Sequence, residues 1–314
     1  MDRAAHVVLN ECMNLKNNER FLVVYDKNKE SIANVFLKKA EKITKNADKV
    51  RINVGKVYGE EPVKHIADKM LGYDVILLVT TKSLSHTDAR RRASRKGARI
   101  ASMPNITKEV MKRALNADYQ KIREISKKIY DNLKDKRNIK LTTKKGTELV
   151  IPAGDGIFED LGLYHKKGSF GNLPAGEVGF APKEGKTNGV LVIDETMAGI
   201  GRLRSPIKLL IKGGFVRKIS GGEEAKKLKI LLKKFKDKSV YNIAEFAVGT
   251  NYKANFSGII LEDEKVFGTV HLALGDNSSY PGGKIKAPVH LDGVISKPTV
   301  FADGKKIIKD GKLI

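Results

Sequence analysis

The alternation of apolar and polar positions divides the chain into two halves of different character. In the first half, apolar runs alternate with segments in which apolar residues recur at helical spacing. The runs FLVVYD, VRINVG, DVILLVTT and ARIASMP predict strands, and residues 31–43, 62–70, 87–96 and 107–115 predict helices, with Ser31 and Thr107 as N-caps. This order is typical of a parallel sheet covered by helices on both faces, so we expect a doubly wound α/β domain over residues 1–130.

After an amphipathic helix predicted over residues 119–134, glycine becomes frequent and the apolar runs become short and paired. IKLTTKKGTELVI predicts a hairpin with Gly146 in its turn. Further strands are predicted at GVLVID, IKLLI, GFVRKI, TVHLAL, VHLDGVI and PTVFA, and one helix over residues 222–235. We therefore expect an α+β domain with a mainly antiparallel sheet over residues 131–314.

Composition narrows the class of protein. Among 314 residues Cys12 is the one cysteine, so neither a disulfide nor a cysteine zinc site can form. The first fifteen residues lack the apolar core of a signal peptide, and no apolar run approaches the roughly 20 residues of a membrane span. We expect a cytoplasmic protein without a membrane partner.

The formal net charge of +24 raises the possibility of a nucleic-acid partner. The lysines are spread from end to end, and no aromatic-rich stacking signature accompanies them, so the sequence does not favour that partner. The segment TKSLSHTDARRRA follows the strand DVILLV and contains the densest arginine cluster. It is either a wall of a ligand site that binds a carboxylate, or a capped helix start with a solvated basic face.

Two histidines in short apolar segments indicate a metal site. His290 and Asp292 form an H-x-D pair, which a strand places on one face because side chains alternate with a period of two. Together with His271 they offer imidazole and carboxylate ligands for a divalent metal. The alternative is that these are core histidines beside a turn aspartate.

Two glutamates interrupt apolar or glycine-rich stretches of the same half. Glu177 lies in GSFGNLPAGEVGFAP, where glycine and proline predict an irregular backbone, and Glu245 lies in NIAEFAVGTN. Each alone is explained by a lysine partner or a water-facing edge. Together with the two histidines and the aspartate they are enough to hold two divalent ions with a bridging carboxylate and a metal-bound hydroxide.

Four segments resemble the aminopeptidase T type metallopeptidases, the leucyl aminopeptidase family M29: TKSLSHTDARRRA, GNLPAGEV, NIAEFAVGTN and VHLALGDNSSYPGG…HLDGV. The resemblance covers nearly the whole chain. It implies a cytoplasmic, homodimeric metallo-aminopeptidase that acts on peptides with a free N-terminus. It also implies two ions of zinc, cobalt, manganese or magnesium, bound by Glu177, Glu245, His271, His290 and Asp292.

The same resemblance gives the residues catalytic roles. Glu177 or Glu245 would transfer a proton to the leaving amine, and Tyr280 would stabilise the oxyanion. The chain departs from M29 in being shorter, with an abbreviated loop between the two histidines. The fold also resembles a mononuclear iron dioxygenase that cleaves the ring of dihydroxypyridine, for which His271, His290 and Asp292 supply a two-histidine, one-carboxylate face. We expect the peptidase, with the dioxygenase as the alternative.

Overall fold

The structure is a computed structural model that describes residues 1–314. Its strands are β1 (Phe21–Asp26), β2 (Ala47–Ile52), β3 (Val75–Val79), β4 (Arg99–Ser102), β5 (Asn138–Thr142), β6 (Glu148–Pro152), β7 (Phe158–Asp160), β8 (Phe170–Asn172), β9 (Glu177–Phe180), β10 (Asn188–Ile193), β11 (Thr196–Met197), β12 (Gly201–Arg202), β13 (Ile207–Lys212), β14 (Phe215–Gly221), β15 (Ile243–Gly249), β16 (Val270–Gly275), β17 (His290–Ile295), β18 (Thr299–Ala302), β19 (Lys305–Lys309) and β20 (Lys312–Leu313).

The α-helices are α1 (Asp2–His6), α2 (Glu30–Ala40), α3 (Lys64–Met70), α4 (Asp88–Arg95), α5 (Lys108–Arg113), α6 (Tyr119–Leu133), α7 (Glu223–Lys233) and α8 (Ile260–Asp263). A π-helical segment, Val7–Cys12, continues α1, and short 3₁₀ turns precede α2 and β15. No helix in the structure combines the length and the apolar character that crossing a membrane requires.

The chain forms two compact units. One comprises Met1–Lys121 and Asp160–Ala175, and the other comprises Ile122–Glu159 and Gly176–Ile314. The sequence predicted a boundary near residue 130 between two domains that fold independently. Compact units need not fold independently, so this boundary stays a prediction.

The first unit is built on a parallel sheet of five strands in the order β2-β1-β3-β4-β8. Its central strands β1 and β3 are buried along their whole length, because helices cover a parallel sheet on both faces. The predicted doubly wound α/β architecture is thereby confirmed. The edge strand β8 comes from the glycine-rich segment 168–182, for which an irregular backbone was expected; the same segment also supplies β9.

Of the two predicted N-caps, Thr107 is confirmed and Ser31 is not, and Thr87 is a further N-cap. The hydroxyl of Thr87 accepts a hydrogen bond from the backbone N–H of Arg90, and Thr107 caps α5 in the same way. Ser31 is not an N-cap, because α2 begins one residue earlier at Glu30. A 3₁₀ turn leads into this helix. Asp26, at the end of β1, caps that turn, because its carboxylate accepts a hydrogen bond from the backbone N–H of Asn28.

The second unit contains two sheets whose strands pair antiparallel, as predicted. An eight-stranded sheet has the order β14-β13-β10-β6-β5-β18-β19-β20, and a seven-stranded sheet has the order β12-β11-β17-β16-β15-β9-β7. Apolar side chains from both sheets and from α6 and α7 form one core. The β5–β6 hairpin is confirmed, with Gly146 at a positive φ of 99° in its turn.

Candidate metal centre

Four adjacent strands of the seven-stranded sheet carry the five predicted ligands. Glu177 begins β9, Glu245 lies in β15, His271 lies in β16, and β17 carries His290 and Asp292. In the strand pairing, Ala273 stands opposite both Glu245 and Asp292, and Ala247 stands opposite His271. These methyl side chains leave the space over the sheet to the longer polar groups beside them.

The candidate ligand atoms of these five residues form a continuous series of close neighbours. The Nε2 atom of His271 lies 3.1 Å from Glu177 Oε2 and 3.5 Å from Glu245 Oε1. The other oxygen of Glu245, Oε2, lies 2.9 Å from His290 Nε2, which is 3.4 Å from Asp292 Oδ1. The structure therefore brings all five residues together, although they are far apart in the sequence.

The five residues fall into two overlapping groups, each with its ligand atoms within 4.8 Å of one another. One group is Glu177, Glu245 and His271, and the other is Glu245, His290 and Asp292. Glu245 belongs to both groups and faces one imidazole with each oxygen. A site that can hold metal is thus present in the second unit; a pair of ions, as the sequence led us to expect, is not shown.

Burial and charge act against each other in this cluster. Burial disfavours the charged imidazolium of His271, but hydrogen bonds to Glu177 and Glu245 outweigh burial and raise its pKa well above the ordinary value. The pKa of His290 is raised in the same way, mainly by Asp292. Burial likewise disfavours the Glu245 carboxylate, yet its hydrogen bonds to both imidazoles lower its pKa. The cluster thus keeps Glu245 ionised beside protonated imidazoles, whose protons a bound cation would replace.

Sequence reasoning missed a lysine and a glutamate that belong to the same cluster. Lys265 is only 2% exposed, and its ammonium lies 2.5 Å from Glu177 Oε2 and 2.9 Å from Glu264 Oε1. Burial raises the pKa of Glu264 to about 8, against the opposing effect of Lys265. Both residues stand in the charged run EDEK, which resembles a solvated turn, and only its position just before His271 hinted at the site.

Tyr280 lies where the resemblance placed it. Its hydroxyl donates a hydrogen bond of 2.7 Å to Glu245 Oε2 and lies 3.4 Å from His290 Nε2. Its ring contacts that of Phe158, with centroids 4.7 Å apart. Burial, together with the charge of Glu245, raises the pKa of the phenol well above its usual value, so the hydroxyl remains a donor.

The residues present fit a metal ion by two observations. The donor set of imidazole nitrogens and carboxylate oxygens suits a divalent transition metal. His290 Nδ1 lies 2.7 Å from the backbone carbonyl of Asp276, so the N–H on that atom leaves Nε2 directed at the carboxylates. Metal-ligating histidines are held in this way, by a hydrogen bond from the ring nitrogen that does not bind the ion.

The segment TKSLSHTDARRRA lies in the first unit and forms the capped start of α4. The guanidinium of Arg90 stacks on Phe170, 4.0 Å from the ring centroid, and its Nε donates to the backbone carbonyl of Ser85. Burial, together with the charges of Arg91 and Arg95, lowers the pKa of Arg90 to about 10. Of the two roles considered, the capped helix start is present, and binding of a carboxylate stays a prediction.

The fold and the largely buried cluster of histidines and carboxylates on an antiparallel sheet are those of an α/β protein with a candidate metal centre. The chain belongs to the NicX family, described as 2,5-dihydroxypyridine 5,6-dioxygenase, whose family model matches residues 8–314. A curated relative, the 2,5-dihydroxypyridine 5,6-dioxygenase of Pseudomonas putida KT2440, is 27% identical over 256 residues, which is 76% of this chain and 71% of the relative.

Two solved structures share the fold. A 2,5-dihydroxypyridine dioxygenase from Pseudomonas putida KT2440 superposes with a TM-score of 0.84 at 20% identity, covering 99% of this chain and 96% of that one. Wild-type AmpT from Thermus thermophilus superposes with a TM-score of 0.71 at 15% identity, covering 100% and 98%. At these identities the likeness concerns the fold alone.

The expectation of a metallo-aminopeptidase, a hydrolase and protease, is wrong. The family match and the curated relative both indicate a dioxygenase, which is an oxidoreductase. Three of the four segments that suggested the peptidase hold residues of the seven-stranded sheet and the cluster, and the fourth, TKSLSHTDARRRA, forms the capped start of α4. This fold is common to AmpT and the dioxygenase. The segments therefore report the fold and not the reaction. The homodimer and the cytoplasmic location stay predictions.

Proposed function

We propose that this protein is a non-haem iron dioxygenase that opens the ring of a dihydroxypyridine, as the name of its relative from Pseudomonas putida describes. The observation that carries the proposal is the family match over residues 8–314, joined to a buried histidine–carboxylate cluster in the second unit. The reaction would insert both atoms of O₂ at the carbon–carbon bond that breaks.

A single ferrous ion would take His271, His290 and Asp292 as its protein ligands. Two histidines and one carboxylate on one face are the donor set of non-haem Fe(II) oxygenases, which leaves positions open for substrate and oxygen. His290 and Asp292 contact each other on β17, and His271 lies on the neighbouring strand, connected to His290 through Glu245. The iron would supply the binding and reduction of oxygen.

The other residues would position and shield these ligands. Glu245 separates the two imidazoles and is itself held by the hydroxyl of Tyr280. Lys265 balances the charge of Glu177, so that this carboxylate is paired without an ion. Burial of Glu245, His271 and Lys265 to 2% exposure or less keeps bulk water from this side of the cluster.

The test is reconstitution of the metal-free protein with Fe(II) under anaerobic conditions, followed by addition of 2,5-dihydroxypyridine and ¹⁸O₂. We expect one iron per chain, one O₂ consumed per ring opened, and both labelled atoms in the product. His271→Ala, His290→Ala and Asp292→Ala should each lose iron and activity. His65→Ala, at an exposed histidine of α3, should behave as the wild type.

Two results would refute the proposal. One is a protein that holds iron at these residues and consumes no oxygen with any dihydroxypyridine. The other is two divalent ions per chain together with release of amino acids from dipeptides, which would restore the hydrolase that the family match overturned. Oxygen uptake by the Asp292→Ala variant at the wild-type rate would instead reject the ligand set.

A further inference from the structure

The loop between β16 and β17, residues 276–289, is held closed by two side chains at its beginning. Asn277 is fully buried; its Oδ1 accepts from the N–H of Ile285 at 2.7 Å, and its own N–H donates to the Ile285 carbonyl at 3.0 Å. The carboxylate of Asp276 accepts from the N–H of Ala287 at 2.9 Å. We refer to the side chains of Asp276 and Asn277 as the loop clamp.

The backbone of the same two residues touches both sides of the candidate metal centre. The carbonyl of Asp276 accepts from Nδ1 of His290 at 2.7 Å. The carbonyl of Asn277 accepts from the N–H of Tyr280 at 3.0 Å, and the Tyr280 hydroxyl reaches Glu245. The side chains of the loop clamp contact none of the candidate ligands. The backbone carbonyls of the same two residues nevertheless hold the imidazole of His290 and, through the backbone of Tyr280, its phenol in place.

Besides the clamp, a backbone hydrogen bond of 2.7 Å from the N–H of Asp276 to the carbonyl of Val289 closes the base of the loop. The loop contains the sequence Pro281-Gly282-Gly283, and glycine leaves a backbone more freedom than any other residue. A Cβ on Gly283 would lie 2.0 Å from the carbonyl oxygen of Asn277, so the chain packs closely on the clamp. Without the clamp, the hydrogen bond to Val289 would remain, but the Asp276 carbonyl would be held less firmly at the histidine.

The position of that carbonyl decides which nitrogen of His290 is available. A neutral imidazole carries its proton on either ring nitrogen, and a metal binds the nitrogen that has none. A carbonyl at Nδ1 keeps the proton there and directs the lone pair of Nε2 at the carboxylates. The contact of 2.7 Å therefore selects both the tautomer and the orientation of the ring.

We propose that Asp276 and Asn277 are positioning residues of the metal centre: they hold the carbonyl that selects the metal-binding tautomer of His290, and so set the metal affinity without touching the ion. The inference rests on the proposed metal site and not on the reaction. It is therefore tested by metal binding, and its failure can be told apart from the failure of the dioxygenase proposal.

The experiment is a Zn(II) titration of the metal-free full-length protein against a competing chelator, for Asp276→Ala and Asn277→Ala. We expect the affinity to fall about 10- to 100-fold, the usual effect of losing a group that orients a metal-bound histidine. Asp276→Asn keeps one acceptor oxygen and should recover part of the loss. It also serves as the second variant if the alanine substitutions do not fold.

Asp237→Ala provides a matched control. Asp237 accepts hydrogen bonds from the N–H and hydroxyl of Ser239, in the same local arrangement that Asp276 makes with Ser278. The control therefore removes a similar local turn before β15 and leaves the loop clamp intact. Its Zn(II) affinity should equal that of the wild type.

NMR of the Zn(II)-loaded protein gives a readout that a general loss of stability does not. The Nδ1–H proton of His290, assigned with His290→Ala, should exchange slowly with water in the wild type and rapidly in Asp276→Ala. An affinity within twofold of the wild type in both alanine variants, with slow exchange retained, would overturn the inference. Zn(II) binding that survives His290→Ala would overturn it too. A clamp effect in a protein without dioxygenase activity would support this inference and refute only the proposed reaction.

Discussion

Replacing Lys265 with methionine removes a buried ammonium and keeps a side chain of similar shape. The ammonium lies 2.5 Å from Glu177 and 2.9 Å from Glu264, and the side chains of all three residues are at most 11% exposed. Water therefore screens these pairs weakly, and loss of the ammonium removes one of the two cationic partners of Glu177, the other being His271, and the ion-pair partner of Glu264. For such pairs the loss is about 3–5 kcal/mol of unfolding free energy.

A change of this size is easily measured. For a unit of this length each kcal/mol lowers the melting temperature by about 2–4 °C, so Lys265→Met should melt roughly 6–20 °C below the wild type. The assay is calorimetry of the metal-free protein at neutral pH, so that bound metal does not add its own stabilisation. In the Lys265→Met background, Glu177→Gln should restore roughly 0.5–3 kcal/mol, because it removes the carboxylate charge that Lys265 no longer balances.

Lys226→Met is the matched control. Lys226 pairs with Glu223 at 2.6 Å, but both side chains are more than 60% exposed. Exposed pairs contribute little, so this variant should melt at the wild-type temperature. If Lys265→Met were as stable as Lys226→Met, the charge balance described for the cluster would be wrong, and His271 alone would have to balance Glu177.

Two further predictions concern stability. Glu19, which is partly buried, forms an ion pair with the buried Arg99, and although burial acts in the opposite direction, the guanidinium lowers the pKa of Glu19 below 4.5. The ion pair stabilises the fold above pH 4.5, and this stabilisation is lost as the pH falls through the lowered pKa of Glu19. The gap in melting temperature between the wild type and Glu19→Gln should therefore shrink in acid. A constant gap down to about pH 3 would contradict the assignment. Gly179→Ala would place a Cβ 2.4 Å from the backbone oxygen of Phe246, so it should lower the unfolding free energy, measured with denaturant, by about 1–3 kcal/mol. Gly72→Ala is the control: its Cβ would meet no atom nearer than 3.4 Å and should cost less than half as much.

The elements of the first unit could be predicted because their signals are local. A buried strand and an amphipathic helix each show their period within a dozen residues, and Thr87 and Thr107 cap helices that begin immediately after them. The segment 168–182 could not be assigned from such signals. Its glycines did indicate unusual backbone, as the φ of 125° at Gly176 confirms. Its strands, however, depend on partners in β4 and β15, which lie far away in the sequence.

The residues of the candidate site were likewise found where their signal was local and missed where it was not. His290 and Asp292 were found because the alternation of side chains on a strand is local, and Glu245 because an acid within an apolar run needs a partner. Lys265 and Asp276 were missed because each looks like an ordinary surface charge until its partners are known. The reaction was misjudged for another reason: the residues that fix the fold are shared by proteins with different chemistry.

The edge strand β8 has a consequence for how the protein is made. It pairs with β4 in the parallel sheet, but β5, β6 and β7 come between them in the chain. While a ribosome releases the first 169 residues, β4 keeps an unpaired edge, of the kind that recruits other chains. The N-terminal unit therefore cannot complete its sheet until Asp160–Ala175 has emerged, and a fragment cut after Lys121 would have an open sheet edge prone to aggregation.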